Sequence, residues 1–176
     1  RMEDHEMQQL YKKGIEPLTK AKIFVDDSAA LNIFELRAKC RRLKSLHDVG
    51  LIIIDYLQLM SGSSDNRNSN REQEISTISR NLKQLAKELQ VPIIALSQLS
   101  REVEKRKDGQ KVPQLSDLRE SGAIEQDADM VMFLYRPDYY DITTNDMGED
   151  TKGDTYVKIA KHRNGSLENI KLKAKL

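Results

Sequence analysis

The chain has 176 residues, enough for one well-cored domain and too few for two large ones. Charged residues make up 32%, the net charge is +1 and no apolar run reaches membrane-spanning length, which excludes a transmembrane segment and a histone-like blanket of positive charge. The opening residues are polar and acidic, unlike a secretory signal, and one cysteine (Cys40) with three scattered histidines supplies neither an internal disulfide nor metal-ligand spacing. The expectation is a single globular unit over residues 1–176 in a reducing, cytoplasmic compartment.

Residues 3–13 read as a helix that Gly14 ends, and Lys22 to Asp26 as a short strand. Asn32 followed by Glu35 has the spacing of a capped helix start, and Ile33, Leu36, Cys40 and Leu43 then form one apolar stripe. Arg37, Arg41 and Lys44 lie beside it; this cluster and those at 101–111 and 171–175 read more readily as solvated faces than as binding patches. Leu51 to Leu59 is apolar, β-branched and short, as in a parallel strand buried on both faces. Asp55 interrupts that run, and a carboxylate there needs a cation or donors. Ligands collect at the carboxyl ends of parallel strands, so magnesium is one explanation. A turn or helix-entry role is an equal one.

A polar loop follows at 61–70, then Ser69 with Glu72 as a capping box and Ile75, Ile78, Leu82, Leu85 and Leu89 as the stripe of a long helix. Residues 91–96 form a second buried strand ending in Ser97 and Gln98, which completes a βαβ unit. Residues 101–115 are charged and lack periodicity, 130–135 read as a third buried strand, and 137–153 as an acidic surface excursion. Residues 154–161 and 168–175 alternate apolar and polar residues and are joined through 162–165 as a hairpin. The result is an α/β layer with an antiparallel extension.

If the first two buried strands are neighbours, Asp55 and Gln98 stand side by side, an acid for a metal beside an amide that can orient a water or touch a phosphate. In the segment 115–129, Arg119, Glu120 and Gly122 suit phosphate contacts by main-chain N–H groups beside a guanidinium, although an ordinary loop entering a helix accounts for them slightly better. Lys161 and Arg163, two apart on an extended chain, point to one face and form a clamp for an anion, on this chain or on a neighbouring subunit; His162 points away and is structural.

Together these stretches resemble the C-terminal motor domain of the DnaB-type replicative DNA helicases. The matching residues are Ile-Asp-Tyr-Leu-Gln-Leu around Asp55, Ala-Leu-Ser-Gln-Leu-Ser-Arg ending at Arg101, Ser-Asp-Leu-Arg-Glu-Ser-Gly-Ala-Ile-Glu-Gln-Asp-Ala-Asp ending at Asp129, and Lys-His-Arg-Asn-Gly ending at Gly165. The resemblance implies a RecA-like P-loop NTPase core, a mostly parallel sheet flanked by helices with an antiparallel C-terminal hairpin. It further implies a homo-hexameric ring with ATP and Mg2+ between neighbours, single-stranded DNA in the central channel, and ATP-driven 5′ to 3′ translocation that unwinds duplex at the replication fork. Primase and a helicase loader would be engaged through other regions of the parent protein, and no membrane is involved.

Carried over by residue, Asp55 holds magnesium and Gln98 couples the γ-phosphate to the DNA loops. Lys161 and Arg163 act on the neighbour's γ-phosphate, Arg163 as the arginine finger, and Arg136 packs on the adenine. Arg119, Glu120 and Gly122 grip the DNA backbone, and Arg67 is the only cation of the loop facing the channel. Aromatics are 5% with no Trp, which fits tracking of phosphates rather than stacking of bases.

The sequence departs from the family pattern in several places. No glycine is followed by lysine, so the P-loop is missing, and with it the glutamate that follows it in the family; Ser166 and Leu167 stand where the family commonly has Pro and Gly. These gaps point to a motor-domain fragment without its first strand, inactive alone, with a slot in its sheet that favours aggregation or a partner strand. The alternative is a non-catalytic DNA-binding or ring-forming module; a RecA-like recombinase is disfavoured by the Arg-Glu-Ser-Gly segment.

Overall fold

Local chain chemistry sets the two long helices. The computed structural model describes residues 3–29, 31–61, 71–106, 111–118, 122–144 and 147–173. After α1 (Asp4–Leu10), a π-type turn (Tyr11–Ile15) and α2 (Glu16–Lys20), the chain reaches α3 (Ile33–His47). Asn32 caps α3: its Oδ1 accepts from Phe34 N at 3.0 Å and Glu35 N at 2.9 Å, and Glu35 Oε2 accepts from Asn32 N at 3.3 Å. The chain then forms β1 (Ile52–Ile54), α4 (Arg71–Leu89) and β2 (Ile93–Ala95). β1 and β2 pair in parallel, Ile52 opposite Ile93 and Ile54 opposite Ala95, as a βαβ unit requires.

One core joins these elements. Ile33, Leu36 and Cys40 of α3 meet Ile75, Ile78, Leu82 and Leu85 of α4, with Ile54, Leu57 and Met60 from β1 and the turn after it. The apolar stripes expected on both helices therefore face the same interior. Cys40 is a small core residue whose thiol is pushed up by burial. The basic stripe beside it is pinned rather than merely solvated: Arg37 and Arg41 both engage Glu88 of α4. Hydrogen bonds from Arg41 and then Arg37 hold the Glu88 carboxyl below its ordinary range.

A second sheet follows α5 (Gly122–Asp127). It comprises β3 (Met130–Tyr135), β4 (Asp154–His162) and β5 (Asn169–Lys173) in the order β3-β4-β5, all antiparallel. The expected hairpin is thus present. Its open end is tied by Asp154, fully enclosed, which takes Lys171 at 2.8 Å and Lys173 at 3.0 Å.

Four expectations are corrected. The strands are not buried on both faces: Ile53 is 62% and Leu134 73% exposed, and α3 and α4 pack against the parallel pair through the face that carries Ile54. The antiparallel strands are not bonded to the parallel pair, so β2 and β3 each keep one edge unpaired among the described strands. Lys22 to Asp26 has no regular secondary structure and joins no ladder; Phe24 stacks on His47 at 4.4 Å and Asp26 pairs with Lys39 at 2.5 Å instead. Apolar alternation makes a strand only where a backbone partner is available. Finally, helical turns pass through Gly14 to Lys20, since a glycine weakens a helix by about 1 kcal/mol without ending it. Ser69 and most of the loop at 61–70 lie outside the described residues. No helix among the described residues is long and apolar enough to cross a membrane.

Candidate functional site

The parallel pair brings its two carboxyl ends together. Beyond the strands proper the pairing continues, with Leu96 N donating to Ile54 O at 2.9 Å and Leu57 N donating to Leu96 O at 2.9 Å. Asp55 and Gln98, both exposed, therefore occupy adjacent strand ends. Beside Gln98 stands Gln58. Its Nε2 donates to Ser97 Oγ at 2.9 Å and its Oε1 accepts from Gln98 N at 3.3 Å, so one side chain straps the turn after Asp55 to the turn carrying Gln98. Arg71, at the start of α4, donates to Gln58 O at 2.8 Å and Met60 O at 3.3 Å, which fixes the same turn from below.

Sequence reasoning missed Gln58, whose only signal was a polar residue inside an apolar run. Its partners lie 39 and 40 residues away in the chain, so periodicity could not reveal them.

This chemistry fits a magnesium–nucleotide site better than a bare metal site. Among the described residues no group of three His, Cys, Asp or Glu gathers to hold an ion. Magnesium needs less, since it keeps several waters and is held by one or two carboxylates plus substrate phosphates. A single exposed acid beside an amide meets that requirement.

Lys161 and Arg163 share a face, as their spacing implied. Both reach the carboxyl end of α5: Lys161 Nζ donates to Glu125 O and, at 3.4 Å, to Gln126 O, while Arg163 Nη2 donates to Gln126 O at 3.2 Å. Cations at exposed helix-end carbonyls are favoured by the helix dipole. Arg163 also meets Asp129 Oδ1 at 3.4 Å, and its N donates to Asp129 O at 2.8 Å. The Asp129 carboxyl is held below its ordinary range by the Lys83 hydrogen bond first, with the charges of Lys83, Arg163 and Lys87 adding to it. His162 lies against Gly165: a Cβ on that glycine would meet its Cε1 and Nδ1 at 2.3 Å, consistent with a structural histidine.

The other candidates are more dispersed. Arg136 caps the turn Pro137–Tyr140 just past β3, half-buried, with its Nε unpartnered. Gly122 opens α5 in a position where a Cβ would meet nothing within 4 Å, so packing inside this chain does not demand a glycine there. Arg119, Glu120 and Arg67 lie outside the described residues. The approach to Arg119 is described, however. Leu99 and Leu118 form an antiparallel bridge, and Ser100 N donates to Asp117 O at 2.9 Å. Arg106 grips the buried Asp117 with two donors, Nη1 reaching Oδ2 at 3.0 Å and Nη2 reaching Oδ1.

A helix-crossed pair of parallel strands with an acid and an amide past their carboxyl ends, followed by an antiparallel hairpin carrying two cations, is an α/β protein of the class that binds ligands at its strand ends. The comparisons identify the family. Residues 1–175 match the family model of the DnaB-like helicase C terminal domain, and the chain belongs to that family.

Among curated relatives, the replicative DNA helicase DnaC of Bacillus subtilis (strain 168) is 54% identical over 155 residues, 88% of this chain and 32% of its own length. The replicative DNA helicase DnaB of Geobacillus stearothermophilus is 52% identical over 155 residues, with the same coverage of 88% and 32%. The chain thus spans about a third of the length of these relatives. A solved DnaB-like replicative helicase, described with its interactions with primase, superimposes with a TM-score of 0.83 at 41% identity over 97% of this chain and 40% of that one. A solved ATPase domain gives 0.83 at 42% identity over 97% of this chain and 57% of that one.

Proposed function

We propose that this chain is the motor portion of a replicative DNA helicase that couples ATP hydrolysis to 5′ to 3′ movement along single-stranded DNA in a cytoplasmic hexameric ring. The observation that carries this reading is the pair of adjacent strand ends, where Gln58 ties the turn that follows Asp55 to Ser97 and Gln98 at the place parallel sheets reserve for nucleotides. Family membership supports it.

In this reading Asp55 holds the Mg2+ of an ATP whose phosphates are cradled by residues outside this chain, and Gln98 contacts the γ-phosphate. The metal, when bound, neutralises charge on the β- and γ-phosphate oxygens. Lys161 and Arg163 reach the neighbouring subunit's γ-phosphate, Arg163 as the arginine finger, and Arg136 packs on the adenine. Arg119, Glu120 and Gly122 grip the DNA backbone, with Arg67 facing the channel. Primase and a loader dock elsewhere on the full assembly. Hydrolysis therefore belongs to the assembled ring, and the 176-residue chain alone is expected to turn over no ATP.

The test is Arg163→Ala in the assembled ring. It should remove most DNA-stimulated hydrolysis, by a factor on the order of 10³–10⁵ if it acts as an arginine finger, while nucleotide affinity stays intact. Mixing the variant with an Asp55→Asn subunit should restore some turnover, because one interface in the mixed ring then has both an intact acid and an intact finger. Undiminished unwinding by Arg163→Ala would refute the role in trans.

A further inference from the structure

The basic run from Arg101 to Lys111 reads in sequence as a solvated face, yet Arg106 is three-quarters buried and its guanidinium forks onto the carboxylate of Asp117, which is only 3% exposed. A charge pair out of water costs desolvation that simple packing does not, and is weak evidence for stability, so its placement calls for another explanation.

The pair lies on the short path between the two halves of the proposed machinery. On one side, Gln98 leads through Leu99 and Ser100 to the turn Arg101–Val103 and then Arg106. On the other, Gln114 leads through the turn Leu115–Asp117 to Leu118, whose next covalent neighbour is Arg119. The two sides are stitched twice: the bridge of Leu99 to Leu118 is made through Ser100 N donating to Asp117 O at 2.9 Å, and Arg106 clamps the Asp117 carboxylate. The Asp117 carboxylate also accepts from Gln114 N at 2.8 Å, so it ties the turn that precedes Arg119 to Arg106, while the Asp117 backbone carbonyl takes Ser100 N, two residues past Gln98. Val103 and Pro113, on the two sides, are both enclosed.

We infer that Arg106 and Asp117 are positioning residues that make the nucleotide-contacting end of β2 and the turn from Leu115 to Leu118, which leads into the proposed DNA-gripping residues, move as one body. The inference rests on the proposed function and adds to it the physical link by which a change at Gln98 reaches Arg119. Asp117 touches neither nucleotide nor DNA. Its carboxylate holds two chain segments in register, and a bidentate guanidinium fork resists rotation between them as a single hydrogen bond does not.

The experiment measures the affinity of the assembled ring for a fluorescent oligo(dT) strand with and without a non-hydrolysable ATP analogue. The ratio of the two affinities is the coupling, ordinarily about 5–150-fold between linked sites. Asp117→Asn is expected to bring that ratio close to one while the affinity for the analogue and DNA-free hydrolysis stay at wild-type levels. Arg106→Lys, which keeps the charge and loses the fork, tests the same point if the first variant does not assemble, and should lower the ratio too. The double exchange Arg106→Asp with Asp117→Arg should recover part of it.

A wild-type ratio in both single variants overturns the inference. So does a parallel loss of DNA affinity with and without nucleotide, which is the mark of a purely structural pair. Absence of any coupling in the wild-type ring would overturn the proposed function and this inference together, whereas coupling that is present and survives both variants overturns the inference alone.

Discussion

Gln58 shows how a single side chain turns two strand ends into one site. By donating to Ser97 Oγ and accepting from Gln98 N it removes the freedom of the segment that must meet a phosphate. Gln58→Leu keeps the volume and removes both bonds. It should cost about 1 kcal/mol in stability, and in the assembled ring it should lower kcat for DNA-stimulated hydrolysis while leaving KM for ATP nearly unchanged; steady-state kinetics read the split. A change in KM alone would mean that Gln58 serves binding rather than alignment. At this scale the sequence was informative about chain position: Asp55 and Gln98 follow the ends of two paired parallel strands, and Lys161 and Arg163 reach the same helix end. It was silent about Gln58, Arg106 and Asp117, because each acts through a partner distant in the chain or hidden in a charged loop.

The elements divide in the same way. α3 and α4 were legible because a helix satisfies its own backbone, and a stripe at three- and four-residue spacing then states which face is covered. Their packing carries the core: Leu82 is 6% exposed between the two helices and the sheet. Leu82→Ala should destabilise the domain by about 2–5 kcal/mol, read as a lower denaturation midpoint with an unchanged slope. A loss below about 1 kcal/mol would show that the site collapses freely around the smaller side chain. Strands were less legible, since their bonds go to a neighbour that the local sequence does not name. Lys22 to Asp26 has the composition of a strand and finds no ladder, while Met130–Tyr135 buries alternate residues only.

Across the whole molecule, several carboxylates tie elements together and carry a common pH signature. Asp26 is lowered to about 2 by its hydrogen bonds to Lys39 and Ser28, Glu88 is lowered by Arg41 and Arg37, Asp129 by Lys83, and Asp154 by Lys171 and Lys173. Each folded-state value lies below the unfolded one, so the stabilisation is fully present above the ordinary carboxylate range, near about 4. It is lost as pH falls through the folded values. Thermal scans should be nearly flat from about pH 7 to pH 5 and decline below about pH 4. Replacing Lys171 and Lys173 together by Met removes the two cationic partners of the enclosed Asp154 and leaves it Tyr156 Oη at 3.4 Å, which raises its carboxyl and should shift the decline to higher pH. An acid profile identical to wild type would show that the hairpin tie contributes nothing to folding.

What the sequence by itself determined was the set of self-sufficient features: two capped amphipathic helices, apolar strands between them, the hairpin, and an ordered series of motifs sufficient for the family. Each is written in neighbouring residues, through periodicity, capping or covalent order. Only the tertiary structure decided which strand faces stay open, that the antiparallel strands form a sheet of their own, and that Asp117 rather than solvent holds Arg106. Those outcomes depend on which distant backbone and charge partners are within reach, and a linear pattern of residues does not encode that distance.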